Sequence, residues 1–184
     1  MEEKTKFADE HYHLLFQLAF SARYHQRREA FYEFLDKTAK AIAVIFGAAT
    51  VSTFLDKDHP DLKSWVSASI SISSTLSLVF GLSQKARLHL DLRRRYGQLE
   101  SRLIALEEED LPSLKKIRSE ISLIEADEPP ILATLVQICQ NEISRAWNRS
   151  DMIFPVPIWK RFIANFVNLE ASIRRNPSAT NSEK

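Results

Sequence analysis

Residues 64–84, with the sequence SWVSASISISSTLSLVFGLSQ, form the longest uncharged stretch of the chain. The stretch contains no proline, and its one glycine, Gly81, comes near its end. From Val66 to Ser73 it alternates apolar and small polar residues, as a half-buried β-strand does. Three structures therefore compete for it: a strand, a buried helix of a soluble bundle, and a helix that crosses a membrane.

The strand and the soluble bundle both conflict with the rest of the sequence. The chain offers no second alternating run as a partner, and a lone strand cannot satisfy its backbone hydrogen bonds. Three glycines in 184 residues are few for a protein that needs tight turns between strands. A chain of this length also has little room for helices that are apolar on all sides. The soluble all-α interaction domain remains the weaker alternative.

A two-helix transmembrane hairpin accounts for this part of the chain best. Residues 64–84 are long enough to span a bilayer, and residues 38–55 form a second apolar stretch when its lysine reaches the headgroups. Lys and Arg are frequent in residues 23–40 and 85–102, whereas the connecting turn, residues 56–63, has two lysines and three aspartates. The positive-inside rule therefore predicts that both termini are cytoplasmic.

The small residues of the predicted spans fall on two helical faces. One face has a small residue at every fourth position, which lets transmembrane helices pack closely. It comprises Ser69, Ser73, Ser77 and Gly81, with Ala43 and Gly47 at the same spacing on the first span. A second face comprises Ser67, Ser71 and Ser74. Because serine tolerates water without selecting for charge, the second face is predicted to line a pore.

The remainder of the chain predicts a cytoplasmic helical bundle, which makes the fold class all-α. Residues 1–37 form an N-terminal helix, residues 85–173 form a helical hairpin followed by C-terminal helices, and residues 174–184 form a disordered tail. The hairpin has two apolar seams with coiled-coil spacing. These seams are Leu92, Tyr96, Leu99, Leu103 and Leu106, then Leu114, Ile117, Ile121 and Ile124.

Two further features concern the C-terminal helices. In EADEPPILATLVQICQNE, Asp127 or Glu128 is predicted to lie near a helix N-cap, with the prolines in the first turn. Downstream, a group of aromatic residues fits a helix that lies at a membrane interface or packs in the core. The group comprises Trp147, Phe154, Trp159, Phe162 and Phe166.

No pattern of catalytic, metal-binding or cofactor-binding residues stands out, so the chain is not predicted to be an enzyme. His11 and His13 point about 200° apart on a helix and cannot share an ion, so they and His25 are predicted to be surface histidines. The glycines form no phosphate-binding loop. A net charge of +1 gives no sign of nucleic-acid binding, and the single cysteine, Cys139, fits a reducing compartment.

The triplet Arg93, Arg94 and Arg95 lies two to three helical turns after the second predicted span. Such a juxtamembrane position favours an anchor to anionic lipid headgroups. A ring of these arginines in an oligomer could instead bind a phosphate-bearing signal.

Four features together resemble the SLATT family, the two-transmembrane effector domains of prokaryotic nucleotide-signalling systems. They are the basic-aromatic run SARYHQRREAFYEFLDK (21–37), the span–turn–span layout of residues 38–84, the charged helix KARLHLDLRRRYGQLESRL (85–103), and IEADEPPILATLVQICQNE (124–142). The resemblance implies an anti-phage effector that forms a homo-oligomer and permeabilises the inner membrane. A nucleotide signal or a separately encoded sensor protein would trigger it. The alternative is a membrane adaptor that recruits a partner through its cytoplasmic helices without forming a pore.

Overall fold

A computed structural model describes residues 2–55, 80–106 and 110–168, together with residues 65, 68, 69, 71, 72 and 75. Every regular element in these ranges is a helix, which confirms the all-α prediction. Two compact units divide the chain, residues 1–128 and residues 129–184.

The first helix, α1 (Glu2–Leu55), runs for 54 residues without a break. At 1.5 Å per residue its length is roughly 80 Å. It joins the predicted N-terminal helix, residues 1–37, to the predicted first span, residues 38–55. The sequence allows this continuity because α1 contains no proline and a single glycine, Gly47.

Two shorter helices complete the first unit, α2 (Leu82–Ile104) and α3 (Leu111–Ala126). Gly81 precedes α2 with φ 54° and ψ 41°, a left-handed conformation that glycine adopts without steric cost. Asp110 caps α3, because its carboxylate accepts a hydrogen bond from the Ser113 backbone N–H at 3.1 Å. Pro112 occupies the first turn of α3, where no intrahelical donor is needed.

The core of the first unit lies where α1, α2 and α3 meet. The residues of both predicted seams point into it, with Leu106 only partly buried. Helix α1 contributes Phe7, Leu14 and Leu18. The helices α1 and α2 run antiparallel, since His11 contacts Leu103 and His25 contacts His89.

The second unit begins with two prolines, Pro129 and Pro130. It contains α4 (Ala133–Ala146), a 3₁₀ turn (Ser150–Met152) and α5 (Ile158–Ile163). Its buried residues include Leu135, Ile138 and Cys139. The Asn141 side-chain amide binds both backbone groups of Phe154: Nδ2 donates to the carbonyl at 2.5 Å and Oδ1 accepts from the N–H at 3.0 Å. This double contact fixes the loop before α5 against α4.

The predicted N-cap at Asp127 or Glu128 is wrong. Asp127 is the C-cap of α3, Glu128 lies in the link that follows, and α4 begins only at Ala133. Pro129 and Pro130 explain the difference, because each proline disfavours the helical conformation of the residue before it.

No helix among the described residues has both the length and the apolar content needed to cross a membrane. The predicted turn, residues 56–63, and most of the predicted second span lie outside the described residues.

A pair of leucines on α3 tests the core. Leu114 is fully buried, whereas Leu123 is 68% exposed. We expect Leu114→Ala to reduce the free energy of unfolding by about 2–5 kcal/mol, because it removes packed methyl groups and leaves a cavity. Leu123→Ala should change it by less than about 0.5 kcal/mol. Thermal unfolding of both full-length variants followed by circular dichroism measures the difference, and equal effects would contradict this core.

Candidate functional site

A network of polar side chains lies in the core of the first unit, with three members buried and Glu128 partly buried. It comprises His25 on α1, His89 and Tyr96 on α2, and Glu128 in the link after α3. His25, His89 and Tyr96 are each at most 2% exposed. Because buried polar groups are costly unless hydrogen-bonded, such a cluster needs internal partners.

The carboxylate of Glu128 is the acceptor on which the network converges. Its Oε1 lies 3.0 Å from His25 Nε2 and also accepts a hydrogen bond from the Tyr96 hydroxyl. On the other side of the His25 ring, Nδ1 lies 2.9 Å from Nδ1 of His89. One proton between these two nitrogens makes the contact a hydrogen bond, whereas two protons would repel each other.

The surroundings set the charges of these groups. Burial, together with the nearby His25 and Arg28, lowers the pKa of His89 to about 4. Burial alone would raise the pKa of Glu128, but the hydrogen bonds from His25 and Tyr96 outweigh it and hold that pKa below its ordinary value. Burial and the contact with Glu128 raise the pKa of Tyr96. At neutral pH, therefore, His89 is uncharged, Glu128 is ionised and Tyr96 is a hydrogen-bond donor.

Four rings of this region form a stacked column. Tyr96 stacks on His25 at 5.6 Å between ring centroids, His25 on His89 at 5.2 Å, and His89 on Tyr32 at 5.6 Å. A cation lies at the Tyr32 end of the column, because the Arg28 guanidinium is 4.6 Å from the Tyr32 ring centroid.

The column ends close to the predicted membrane hairpin. Lys85, the first residue after the predicted second span, places its ammonium 5.7 Å from the Tyr32 ring centroid. Tyr32 itself lies less than two turns before the predicted first span. The network therefore joins α1 and α2 at the end of the bundle from which both predicted spans continue.

The arginine triplet has carboxylate partners in the bundle. Arg93 lies 3.3 Å from Glu29, while Arg95 lies 2.9 Å from both Asp91 and Asp127. Arg94 is exposed. Lipid or signal binding by these arginines stays a prediction.

The predicted span residues are described only in part. Ser69 donates a hydrogen bond to the Trp65 carbonyl at 2.8 Å, four residues earlier, so its hydroxyl has a partner in the chain's own backbone. Gly81 forms the turn before α2 rather than continuing the packing face along a helix. Ser71 is exposed, Ala43 is partly buried and Gly47 lies within α1. The other predicted serines, Ser67, Ser73, Ser74 and Ser77, lie outside the described residues.

The prediction of surface histidines is wrong for His25, and it overlooked His89. The described residues contain no group of three His, Cys, Asp or Glu that could hold a metal ion. The sequence does carry a signal for both buried histidines. His25 continues the buried α1 face of Leu14, Leu18 and Ser21 at spacings of three and four, and His89 precedes Leu92 on the α2 seam.

Comparison with known proteins identified no relative of this chain. The chain matches no protein-family model, no curated protein and no solved structure.

Glu128 and its neighbour Asp127 provide a matched test of the network. Glu128→Ala leaves the His25 N–H and the Tyr96 hydroxyl buried without their acceptor, so we expect a loss of about 3 kcal/mol in unfolding free energy. Asp127→Ala removes an exposed ion pair with Arg95 and should cost about 1 kcal/mol or less. Chemical denaturation of both variants at neutral pH measures this, and equal losses would count against a central role for Glu128.

The low pKa of His89 predicts acid-sensitive stability. The folded state disfavours His89 protonation, whereas the unfolded state binds the proton near the ordinary value of 6.5. Stability should therefore be constant above pH 6.5 and fall between pH 6.5 and 4, by up to about 3 kcal/mol. Glu128, whose pKa is lowered, adds a loss below its ordinary value of 4.5.

The variant His89→Asn isolates this effect, because asparagine keeps a polar atom near the Nδ1 position but does not titrate. We expect a flatter profile of melting temperature against pH between 6.5 and 4.5 than in the unaltered chain. The exposed His13 serves as the control through His13→Asn, which should retain the slope. An unchanged slope in His89→Asn would show that other groups cause the acid sensitivity.

Proposed function

We propose that the chain is an inner-membrane effector whose two-helix hairpin permeabilises the membrane when its cytoplasmic bundle is triggered. The observation that carries this proposal is that apolar side chains are exposed in the predicted spans, whereas those of the bundle seams lie in the core. Apolar side chains of the predicted spans are 51–74% exposed: Val44, Ile45, Trp65, Ile72 and Phe80. In the bundle, the seam residues other than Leu106 are buried instead. Large apolar side chains exposed in this way need a cover of lipid or of further protein.

The continuity of α1 supports coupling between the bundle and the spans. The same helix carries His25 in the buried network and residues 38–55 of the predicted first span. A helix transmits displacement along its axis, so a rearrangement around His25 would shift this span. The Gly81 turn, in contrast, gives the predicted second span freedom to change its angle to α2.

Under this proposal, several copies assemble in the bilayer, with Ser67, Ser71 and Ser74 facing the pore. The resemblance to the SLATT family supports a role in anti-phage defence. It rests in part on residues 21–37, 85–103 and 124–142. It also supports a trigger outside this chain, either a nucleotide signal or a separately encoded sensor. Both termini are cytoplasmic in this arrangement.

One observation favours the adaptor alternative. Between α2 and α3 lies an open groove of about 550 Å³, lined by residues that include Arg102, Glu120 and the exposed Leu123. A partner protein could be recruited there while the hairpin acts only as an anchor. In that case, the membrane would stay sealed.

Expression in bacteria separates these functions. An alkaline wash leaves a hairpin protein in the membrane fraction and extracts a soluble bundle. Uptake of an impermeant dye then separates the effector from the adaptor, because only the effector admits dye. We expect retention after the wash together with dye uptake. Extraction by the wash would contradict both membrane functions, and retention without uptake at any expression level would contradict the effector.

Leucine substitutions test the pore face. We expect the triple variant Ser67→Leu, Ser71→Leu and Ser74→Leu to abolish dye uptake while staying in the membrane, because leucine excludes water from the pore. Ser119→Leu with Ser122→Leu, on the exposed face of α3, should leave uptake unchanged. Full dye uptake by the triple variant would show that these serines do not line the pore.

A further inference from the structure

The second unit presents an apolar helix face that its own core does not use. Ile158, Trp159 and Phe162 of α5 are 58–77% exposed. At 100° per residue these three side chains lie within an arc of about 100°. Ala164, which follows α5 in helical conformation and is fully buried, lies on the opposite side. The helix therefore rests on its unit through one side and turns its largest apolar residues outward.

The structure holds this face in place. Asn141 binds both backbone groups of Phe154, and Pro155 and Pro157 restrict the backbone between that contact and the start of α5. Ala133 donates a backbone hydrogen bond to the Asn168 side chain at 3.0 Å, which fixes the segment after α5. Contacts at both ends present the apolar face on a supported helix.

The charge around the face indicates what covers it. Lys160 and Arg161 lie on α5, and residues 152–168 contain no Asp or Glu. The Lys160 ammonium lies 5.7 Å from the Trp159 ring centroid. Trp and Phe with adjacent basic residues are the composition of helices that lie in the headgroup region of anionic bilayers. A protein partner with an apolar groove would not require this one-sided charge.

We infer that α5 docks on the surface of an anionic bilayer, with Ile158, Trp159 and Phe162 inserted among the acyl chains and Lys160 and Arg161 at the headgroups. The inference rests on the proposed function, because the spans would keep the chain at such a bilayer. It adds a second, peripheral attachment that responds to lipid charge. Each basic residue should favour the docked state about fivefold over the undocked state.

Spin labels on the full-length chain test this docking. Cys139→Ala removes the only native thiol, and single cysteines then replace Phe162, Val44 or Ser122. Each labelled protein is reconstituted in vesicles of phosphatidylcholine, with or without phosphatidylglycerol. Power saturation by oxygen reports burial in acyl chains, and saturation by a water-soluble nickel chelate reports exposure to water. Ser122, exposed on α3, is the aqueous control.

We expect the label at residue 162 to favour oxygen in vesicles that contain phosphatidylglycerol. Replacing Lys160 and Arg161 by glutamine should shift its docked fraction toward water, by about 25-fold in the ratio of docked to undocked states. Three results would overturn the inference. The first is access of the nickel chelate to the label in both kinds of vesicle. The second is protection from both reagents, which would mean that the chain itself covers the face, and the third is dipolar broadening between labels, which would mean that a second copy covers it.

The label at residue 44 reports on the spans separately. Oxygen access at residue 44 with nickel access at residue 162 would retain the proposed hairpin and reject the docking of α5. Nickel access at residue 44 with lipid-dependent oxygen access at residue 162 would reject the hairpin and retain a peripheral helix. The two proposals can therefore fail independently.

Discussion

The partly buried Glu128 carboxylate, held by donors from two helices, is the group on which the bundle depends. An ionised carboxylate in a core is unfavourable unless donors surround it, and here His25 and Tyr96 provide them from two different helices. These contacts require α1, α2 and the end of α3 to meet in one arrangement. The second histidine, His89, extends the arrangement to Tyr32 and Lys85, where the predicted spans begin.

The contact between His25 and His89 depends on how many protons lie between the two rings. With one proton between His25 and His89, the two rings attract each other, and α1 stays packed against α2. A second proton between the two Nδ1 atoms would set two N–H groups against each other. Moving the Glu128 carboxylate away would leave the His25 N–H and the Tyr96 hydroxyl without their acceptor. Under the proposed function, a change of packing at His25 would be carried toward the predicted spans, because α1 is continuous through residue 55. A trigger would need to disturb only this small group of side chains.

Periodicity was sufficient to predict the bundle but not its polar centre. The seams of α2 and α3 follow a regular apolar spacing, so their burial could be read directly from Leu92, Leu103 or Ile117. His25 and His89 occupy positions of the same spacing, but a histidine at a core position is recognisable only when its partner is known. That partner, Glu128, comes from a link whose fold depends on Pro129 and Pro130, and its position more than a hundred residues from His25 leaves no local signal. The Gly81 turn could not be predicted either, because a glycine one helical turn after Ser77 also fits the packing face of small residues.

The topology of the hairpin tests the central claim most directly. In intact spheroplasts, with Cys139→Ala as background, a cysteine replacing His59 in the connecting turn is treated with a membrane-impermeant maleimide. A cysteine replacing Ser122 on α3 is treated in the same way. If residues 38–84 form a two-span hairpin and the bundle lies in the cytoplasm, residue 59 should be labelled in intact spheroplasts. Residue 122 should then be labelled only after lysis. Labelling of both residues only after lysis, or of both before it, would contradict the account.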